Sequence, residues 1–428
     1  MRLSEKNGQM PLEHYDDCIT EASVTGQEAD VVTAVELSER GATHTYVQRF
    51  NVTYEYPVAF TRDLFTPVNS VFAETLALQE PNRCHKIAVF IDDGLRSSHA
   101  DLPTRIADYA AARPRAMELV AVPEFVTGGE RCKNDPALVE RLQRRLIDLG
   151  LDRHAFVVAI GGGALLDLVG YVAATVHRGI RHIRVPTTVL AQNDAGVGVK
   201  NGVNAFGQKN ILGTFAPPFA VLNDAVFLDQ LDDRDKRAGM AEAVKVALIR
   251  DGAFFAWLER NAVDLRAFRP NAIDYLIRRC AELHMAQIAS GGDPFERGSA
   301  RPLDYGHWSA HKLELLTGHA LRHGEAVAIG LALDARYSVL SGHLPEGDDL
   351  RVWNLLSTLG LPLFNPMLKA VDSQGHHKLL RGLREFREHL GGELTITLLA
   401  ALGRGIEVNE MDEGLILRAI DWLANITR

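Results

Sequence analysis

Residues 156–176 read FVVAIGGGALLDLVGYVAATV. The first five are apolar and typical of a buried strand, three glycines follow, and a helix-like pattern begins at Leu165. Because glycine has no side chain, backbone N–H groups at such a turn can approach a phosphate, and the following helix N-terminus adds partial positive charge. The three glycines are equally consistent with a plain strand-to-helix turn, since they do not form the Gly-x-Gly-x-x-Gly dinucleotide pattern.

Strand and helix patterns alternate around this turn. Residues 87–91 and 117–122 are short apolar runs that predict strands, and leucines recur on one helical face of 135–149. Alternation of this kind predicts a mostly parallel sheet covered by helices, which is the α/β fold class. Residues 43–60 predict further strands, whereas 196–204 (GVGVKNGVN) has the composition of a glycine-rich loop.

Strand patterns nearly disappear after residue 232, apart from 394–399. We therefore predict an N-terminal extension (1–42), an α/β domain (43–232) and a largely helical domain (233–428), with the functional site in the cleft between the two domains. The helices of the C-terminal part are predicted at 235–249, 253–265, 272–289, 307–317, 324–340 and 351–359.

The composition excludes several classes of protein. The 428 residues are 46% hydrophobic, and 46 basic against 55 acidic residues give a net charge of −9. So acidic a chain is not expected to bind nucleic acid through a general basic surface. No stretch offers about 20 uninterrupted apolar residues for a membrane span, and the first residues do not resemble a secretory signal. The four cysteines are far apart and read as reduced thiols, so we expect a cytoplasmic protein.

Histidine spacing suggests a metal site. Four histidines fall within 17 positions as two i, i+4 pairs, His307 with His311 and His319 with His323. On helices, each pair would place both rings on one face, and Glu242 in another predicted helix could complete a catalytic divalent site. Histidines on a helix surface are the alternative, and spacing alone does not select the ligand of each pair.

Basic residues suggest a small phosphorylated substrate. They stand among glycines and asparagines in an otherwise acidic chain: Arg178, Lys200, Lys209 and Lys245, with Asn201, Asn204 and Asn210. Charged donors of this kind bind phosphate oxygens well. A flexible surface loop explains the same composition.

Taken together, these motifs resemble one family. In order they are GGGALLD (161–167), AATVHRG (173–179), PTTVLAQND (186–194), GVK (198–200), VN (203–204), GQKN (207–210), AEAVK (241–245), GH (306–307) and HGEAV (323–327). Over roughly residues 86–340 the chain resembles 3-dehydroquinate synthase and its relatives, the sugar phosphate cyclases.

The resemblance implies a Rossmann-like nucleotide-binding domain, a helical metal-binding domain, a homodimer, NAD, and one divalent metal, zinc or cobalt. The implied metal ligands are Glu242, His307 and His323, with His311 beside the metal or transferring a proton. Substrate contacts are implied for Asp194, Lys200, Asn210, Lys245 and, across the dimer interface, Arg178. NAD contacts are implied for Asp92, Glu130, Lys133, Gly161, Gly162, Gly163, Asp167, Thr187, Thr188, Lys200, Lys209, Phe227, Leu228, Asp229 and Gln230.

Departures from the family pattern concern the substrate. Dehydroquinate synthases have an Arg and an Asn before the first metal histidine, where this chain has Ala300 and Asp304, with Arg301 beside the first position. They also have an Asp-Lys-Lys run where this chain reads FREHLGG (386–392). Both changes remove groups suited to a substrate carboxylate. Asp304 and FREHLGG resemble 2-epi-5-epi-valiolone synthases, which cyclise sedoheptulose 7-phosphate, whereas His311 is a feature of dehydroquinate synthases.

The implied reaction combines transient oxidation, β-elimination of phosphate, return of the hydride and an intramolecular aldol closure, without net redox change. The alternatives are a 3-dehydroquinate synthase acting on the heptulosonate phosphate, an NAD- and metal-dependent polyol dehydrogenase, and a binding protein without activity. Lys200, Lys209 and Arg178 favour a phosphorylated substrate over a simple polyol, and the three implied metal ligands argue against an inactive protein.

Overall fold

The structure is a computed structural model that describes residues 38–40, 43–45, 48, 50–291, 295, 302–389 and 394–427. The chain divides into two units, residues 1–54 and residues 55–428. In the first unit, β1 (Ser38–Arg40) pairs with β2 (Thr43–Thr45) as an antiparallel hairpin. The second unit contains every candidate site residue that the structure describes. The predicted division at residue 232 stays a prediction.

A seven-stranded parallel sheet forms the N-terminal half of the second unit. Its strand order is β3-β11-β8-β7-β4-β5, and β6 also pairs with β4. This sheet confirms the predicted α/β class. The strands are β3 (Val58–Thr61), β4 (His85–Asp92), β5 (Met117–Leu119), β6 (Glu124–Val126), β7 (Phe156–Gly161), β8 (Arg181–Pro186) and β11 (Ala220–Asp224).

Helices cover both faces of this sheet. Along β7, Val157 and Ala159 pack into one hydrophobic cluster, while Phe156, Val158 and Ile160 pack into another. Burial on both faces explains why the strand is a continuous apolar run rather than an alternating one. The helices are α1 (Val71–Ala77), α2 (Leu102–Ala111), α3 (Pro136–Asp148) and α4 (Gly163–Thr175).

The prediction of a loop at 196–204 is correct for 196–199 and wrong for 200–204, because β9 (Lys200–Ala205) and β10 (Gln208–Phe215) form an antiparallel hairpin. Phe206 and Gly207 at its turn both have positive φ, 54° and 73°, as a two-residue hairpin turn of type I′ requires. Glycines inside the strands let the two backbones approach closely. A Cβ on Gly213 would lie 2.8 Å from the carbonyl oxygen of Asn201. Because glycine is uncommon in strands, the same residues make the strand pattern hard to recognise in the sequence.

The C-terminal half is largely helical, as predicted. The predicted helix at 253–265 is two helices, because the chain turns at Asn261. The predicted strand at 394–399 has a partner, so that β12 and β13 form a hairpin. The elements are α5 (Val226–Asp229), α6 (Asp233–Arg250), α7 (Gly252–Arg260), α8 (Ala262–Arg266), α9 (Pro270–Ser290), α10 (His307–Leu316), α11 (His323–Leu340), α12 (Asp348–Thr358), α13 (Arg381–His389), β12 (Ile396–Ala401), β13 (Arg404–Val408) and α14 (Glu413–Ile426).

Helices α6 and α11 cross at the centre of this half. Residues 238–249 of α6 are all buried, and so are nearly all residues of 324–338 in α11. A helix surrounded by protein needs no polar face, so its sequence shows little amphipathic periodicity. None of the helices that the structure describes is long and apolar enough to cross a membrane.

The crossing depends on a glycine at the start of α11. A Cβ on Gly324 would lie 1.9 Å from the carbonyl oxygen of Ala238 in α6. We expect Gly324→Ala to lower the free energy of unfolding by about 1–3 kcal/mol, because the helices must move apart. Chemical denaturation measures this loss, and Gly324→Val should cost more than Gly324→Ala. An unchanged unfolding midpoint in both variants would contradict the close contact.

Candidate active site

Three side chains from three helices converge in the C-terminal half of the second unit. Glu242 of α6 is 1% exposed, and its Oε1 lies 3.5 Å from Nε2 of His307 and 3.4 Å from Nε2 of His323. These distances are long for hydrogen bonds, and Oε1 has no hydrogen-bond partner within the described structure. Two ligands about 2.1 Å from a tetrahedral ion lie roughly 3.4 Å apart. The donor set and its spacing therefore fit a divalent metal such as zinc or cobalt.

One hydrogen bond orients the ring of His307, and two more fix the residues before and after it in the chain. Its Nδ1 lies 3.0 Å from the carbonyl oxygen of Tyr305, so Nδ1–H donates there and Nε2 is left to face Glu242. The buried carboxylate of Asp334 accepts from the backbone N–H of Gly306 at 3.2 Å and from Nε1 of Trp308 at 3.0 Å. Burial raises the pKa of Asp334 to about 7, against the effect of these two donors.

Alternating charges extend from Glu242 across the site. The Lys245 ammonium contacts Oε2 of Glu242, and Nδ1 of His284 lies 2.9 Å from Oδ1 of Asp194. Burial alone would lower the pKa of Lys245, but Glu242 and Asp194 outweigh it and raise that pKa above its ordinary value, with a further contribution from Asp304. Lys245 is therefore a fixed cation beside the three predicted metal ligands, and Asp304 lies near it in a 3₁₀ turn.

A buried arginine shapes the segment between Asp194 and Lys200. Arg184 of β8 is 0% exposed, and its guanidinium donates to the carbonyl oxygens of Gly196 at 3.0 Å, Gly198 at 2.7 Å and Lys200 at 3.0 Å. Its Nη2 also donates to Oδ1 of Asn201 at 2.7 Å. The planar fork of donors therefore sets the path of the backbone that leads to two predicted substrate contacts.

The glycine turn joins the end of β7 to the start of α4. A Cβ on Gly161 would lie 2.7 Å from Leu165 and 2.9 Å from Cβ of Asp92, and a Cβ on Gly163 would lie 3.1 Å from Ala195. Asp92 ends β4 beside this turn, and burial raises its pKa. The turn thus places Gly161 beside Asp92, and Gly163 beside the segment that carries Asp194.

Other predicted NAD residues border the same turn. The Thr187 N–H donates to the carbonyl oxygen of Gly161 at 3.0 Å. The Cγ2 of Thr188 would lie 3.5 Å from a Cβ on Gly162. The free N–H groups of the first turn of α4 therefore lie between the ends of β7 and β8, as an anion site at a helix N-terminus requires.

A 3₁₀ turn after β6 brings further predicted residues to the hairpin. Nζ of Lys133 lies 2.7 Å from Oδ2 of Asp167 in α4. Nδ2 of Asn204 donates to Oε1 of Glu130 at 3.1 Å, and Nζ of Lys209 lies 3.9 Å from that oxygen. The β9–β10 hairpin is thus attached to the turn that carries Glu130 and Lys133.

Some predicted substrate residues stay at the surface of the chain. Arg178 is exposed, and both it and His177 have positive φ, 62° and 53°. Asn210 is exposed on β10, where its N–H donates to Oδ1 of Asn204 at 2.8 Å. Lys200, at the start of β9, is also exposed.

The predicted NAD residues in α5 divide between two environments. The Phe227 ring is buried against His99, with ring centres 5.2 Å apart. Leu228 and Asp229 line a cavity of about 220 Å³, and Gln230 is exposed. Of the residues that distinguish substrate classes, Ala300, Arg301 and 390–392 lie outside the described residues.

One part of the histidine prediction is wrong. His307 and His311 share a helix, with ring centres 5.4 Å apart, but His319 and His323 do not share one. Gly318 and His319 both have positive φ, 56° and 62°, and end α10 with a left-handed turn. His319 is therefore exposed before α11 begins, whereas His323 joins Glu242.

The sequence analysis missed three charged residues of the site, namely Arg184, His284 and Glu314. Glu314 stands seven residues after His307 and three after His311, so helical spacing could have placed it on the same face. Its Oε1 lies 3.4 Å from Nδ1 of His323. Arg184 and His284 carry no local signal, because their partners are distant in sequence.

Comparison with known proteins agrees with this arrangement. The chain matches the family models "3-dehydroquinate synthase N-terminal" over residues 124–238 and "3-dehydroquinate synthase C-terminal" over residues 239–378. It is 40% identical over 251 residues to a 3-dehydroquinate synthase of Pelobacter propionicus, covering 58% of this chain and 68% of that one.

Two other similar proteins are 2-epi-5-epi-valiolone synthases. The chain is 33% identical over 376 residues to the 2-epi-5-epi-valiolone synthase of Streptomyces glaucescens, covering 86% of this chain and 92% of that one. It also superposes on ValA, a 2-epi-5-epi-valiolone synthase from Streptomyces hygroscopicus subsp. jinggangensis 5008 solved with NAD+ and Zn2+, with TM-score 0.76 and 29% identity over 88% of this chain and 99% of that one. The chain therefore belongs to the 3-dehydroquinate synthase family and is a sugar phosphate cyclase, a lyase that eliminates phosphate.

Proposed function

We propose that the enzyme cyclises sedoheptulose 7-phosphate to a valiolone-type cyclitol, using NAD and one divalent metal. The observation that carries the proposal is the buried cluster of Glu242, His307 and His323 with the Lys245 cation against it. The similar ValA structure holds NAD+ and Zn2+, which supports the same two cofactors here. The reaction is transient oxidation, phosphate elimination, reduction and ring closure.

Glu242, His307 and His323 would hold the metal. When bound, a divalent ion in such a site polarises a substrate hydroxyl or carbonyl oxygen. The chain supplies the remaining charge: Lys245 stays protonated beside Glu242, and Asp194 is paired with His284. These groups would orient a polyol in the site.

The glycine turn at Gly161–Gly163 would hold the NAD pyrophosphate, with Asp92 at the end of the neighbouring strand. Thr187, Thr188 and the Lys133–Asp167 pair border that site. Lys200, Lys245 and Asn210 would provide donors to the substrate, and His311, whose ring centre lies 5.4 Å from that of His307, would carry a proton. Desolvation in the cleft, together with the neighbouring His307 and His323, lowers the pKa of His311 well below its ordinary value, so its ring is neutral.

Charge supports a substrate without a carboxylate. Asp304 lies near enough to Lys245 to affect its pKa, and it stands where carboxylate-binding relatives have Asn. A second carboxylate in this region would be repelled by Asp304, and it would lack the Arg that Ala300 replaces. Losing one charge-assisted partner costs about 1.5–3 kcal/mol, or roughly ten- to a hundredfold in binding.

Phosphate release from two substrates tests the proposal. With metal and NAD supplied equally, we expect kcat/KM for sedoheptulose 7-phosphate to exceed that for the heptulosonate phosphate at least about tenfold. Because the hydride returns, no NADH should accumulate. Asp304→Asn should reduce the ratio of kcat/KM between the two substrates, since it removes the charge that repels a substrate carboxylate.

Two outcomes would overturn the proposal. Faster turnover of the heptulosonate would make the enzyme a 3-dehydroquinate synthase, which the matched family models favour. Steady accumulation of NADH with an unphosphorylated polyol would indicate a dehydrogenase.

We also propose a cytoplasmic homodimer. Arg178 is exposed on a strained turn with φ 62°, a conformation that an arginine adopts at a cost. In a dimer of the kind the resemblance implies, this turn would present the guanidinium of one protomer to the substrate of its partner.

A further inference from the structure

His323 lies between two carboxylates. Its Nε2 faces Oε1 of Glu242 at 3.4 Å, and its Nδ1 faces Oε1 of Glu314 at 3.4 Å. Glu314 lies on α10 and is only 5% exposed. The ring thus has an acidic group on each of its two nitrogens.

The two sides of the ring have different partners and so different roles. A neutral imidazole carries one N–H, and a metal needs the other nitrogen as a lone pair. Glu314 stands outside the Glu242–His307–His323 cluster, so it can hold the proton on Nδ1. His307 is oriented in the same way by the carbonyl oxygen of Tyr305 at 3.0 Å, but that acceptor is uncharged.

The structure assigns Glu314 as a positioning residue of the metal centre: its carboxylate faces Nδ1 of His323 at 3.4 Å and would accept the Nδ1–H when Nε2 binds the metal. A carboxylate acceptor also makes the imidazole a stronger ligand than a carbonyl acceptor does. This inference rests on the proposed function, because it presumes that Glu242, His307 and His323 hold a metal.

The position of Lys209 argues against Glu314 as a ligand of a second metal ion. Donor atoms of His311, Glu314 and His323 also lie within 4.8 Å of one another, as a second metal site would require. However, Nζ of Lys209 on β10 lies 3.5 Å from Oε1 of Glu314, and this ammonium already balances its charge. Lys245 contacts Glu242 in the same way, so the number of metal ions bound per chain is the measurement that separates a role on His323 from a second metal site.

Metal affinity of the full-length protein tests the assignment without any substrate. After removal of metal with a chelator, Zn2+ and Co2+ affinities are measured by competition with a chromophoric chelator, and Co2+ absorption reports ligand geometry. We expect Glu314→Ala to weaken affinity about 10- to 100-fold and to alter the Co2+ spectrum. Glu314→Gln keeps an acceptor of the same shape without the charge and should lose less.

A matched control is Glu385→Gln, which removes a partly exposed carboxylate that pairs with Lys312 of the same helix α10. It should leave metal affinity unchanged, and the melting temperature of each apo-protein shows whether the fold is intact. If Glu314→Ala does not fold, Glu314→Gln decides. Wild-type affinity and spectrum in both Glu314 variants, or two metals bound per chain, would overturn the assignment. Failure of the unmodified protein to bind any metal would instead refute the proposed function.

Discussion

His323→Ala is expected to abolish tight metal binding and to lower kcat/KM for phosphate release about a thousandfold or more. The ring would supply one of the three proposed ligands, and the two that remain, Glu242 and His307, would not make a stable site for a divalent ion. A Lewis acid contributes several kcal/mol to the transition state, and each 1.36 kcal/mol is a factor of ten in rate. Metal analysis of the purified protein and a phosphate assay measure the two losses.

The matched control is His319→Ala. His319 is the other member of the i, i+4 pair, but it is exposed in the left-handed turn that ends α10. The His319→Ala protein should keep both its metal content and its activity. A well-folded His323→Ala protein with full metal content would refute the ligand assignment, and loss of metal in His319→Ala would show that the pair was misassigned.

The contrast between these histidines shows what sequence spacing can predict. The pattern at His307 and His311 is correct because α10 continues through both residues. The pattern at His319 and His323 fails because Gly318 and His319 form a left-handed turn after α10, so His319 lies outside α11, which begins at His323. Only the family resemblance selected the ligand in each pair, since the third ligand lies on a helix more than 60 residues earlier.

The same contrast holds for the fold. The strand at β7 and the helix at α3 are predicted correctly, because burial on two faces and a leucine face leave clear patterns. The β9–β10 hairpin is missed, since its strands contain the glycines that let them approach. Arg184 breaks the apolar pattern of β8, and its function depends on carbonyl groups that only the folded chain brings to it.

Arg184→Met is expected to lower stability and to impair catalysis while leaving the metal in place. Methionine has a similar length but donates no hydrogen bond, so the buried carbonyl oxygens of Gly196 and Gly198 lose their donor. Each unsatisfied buried group costs about 1–3 kcal/mol, and we expect a total loss of at least about 3 kcal/mol in the free energy of unfolding. Arg184→Lys keeps the charge but lacks the planar guanidinium. Its free energy of unfolding should therefore lie between those of the wild-type protein and Arg184→Met.

The effect on kcat distinguishes a positioning role of Arg184 from a purely stabilising one. The hydrogen bonds of Arg184 go to residues 196–201, whereas the three proposed metal ligands lie on α6, α10 and α11. We therefore expect folded Arg184→Met to keep its metal and to lose more than about tenfold in kcat, because misplaced groups orient the substrate poorly.

A second arginine of β8 provides the comparison. Arg181 pairs with Glu80 at 2.6 Å, away from the segment that Arg184 holds, so Arg181→Met should change stability but not kcat per folded molecule. Denaturation curves, metal content and phosphate release measured on the same preparations distinguish the two variants. Equal kcat in Arg184→Met and Arg181→Met would show that the buried guanidinium stabilises the fold without positioning the catalytic segment.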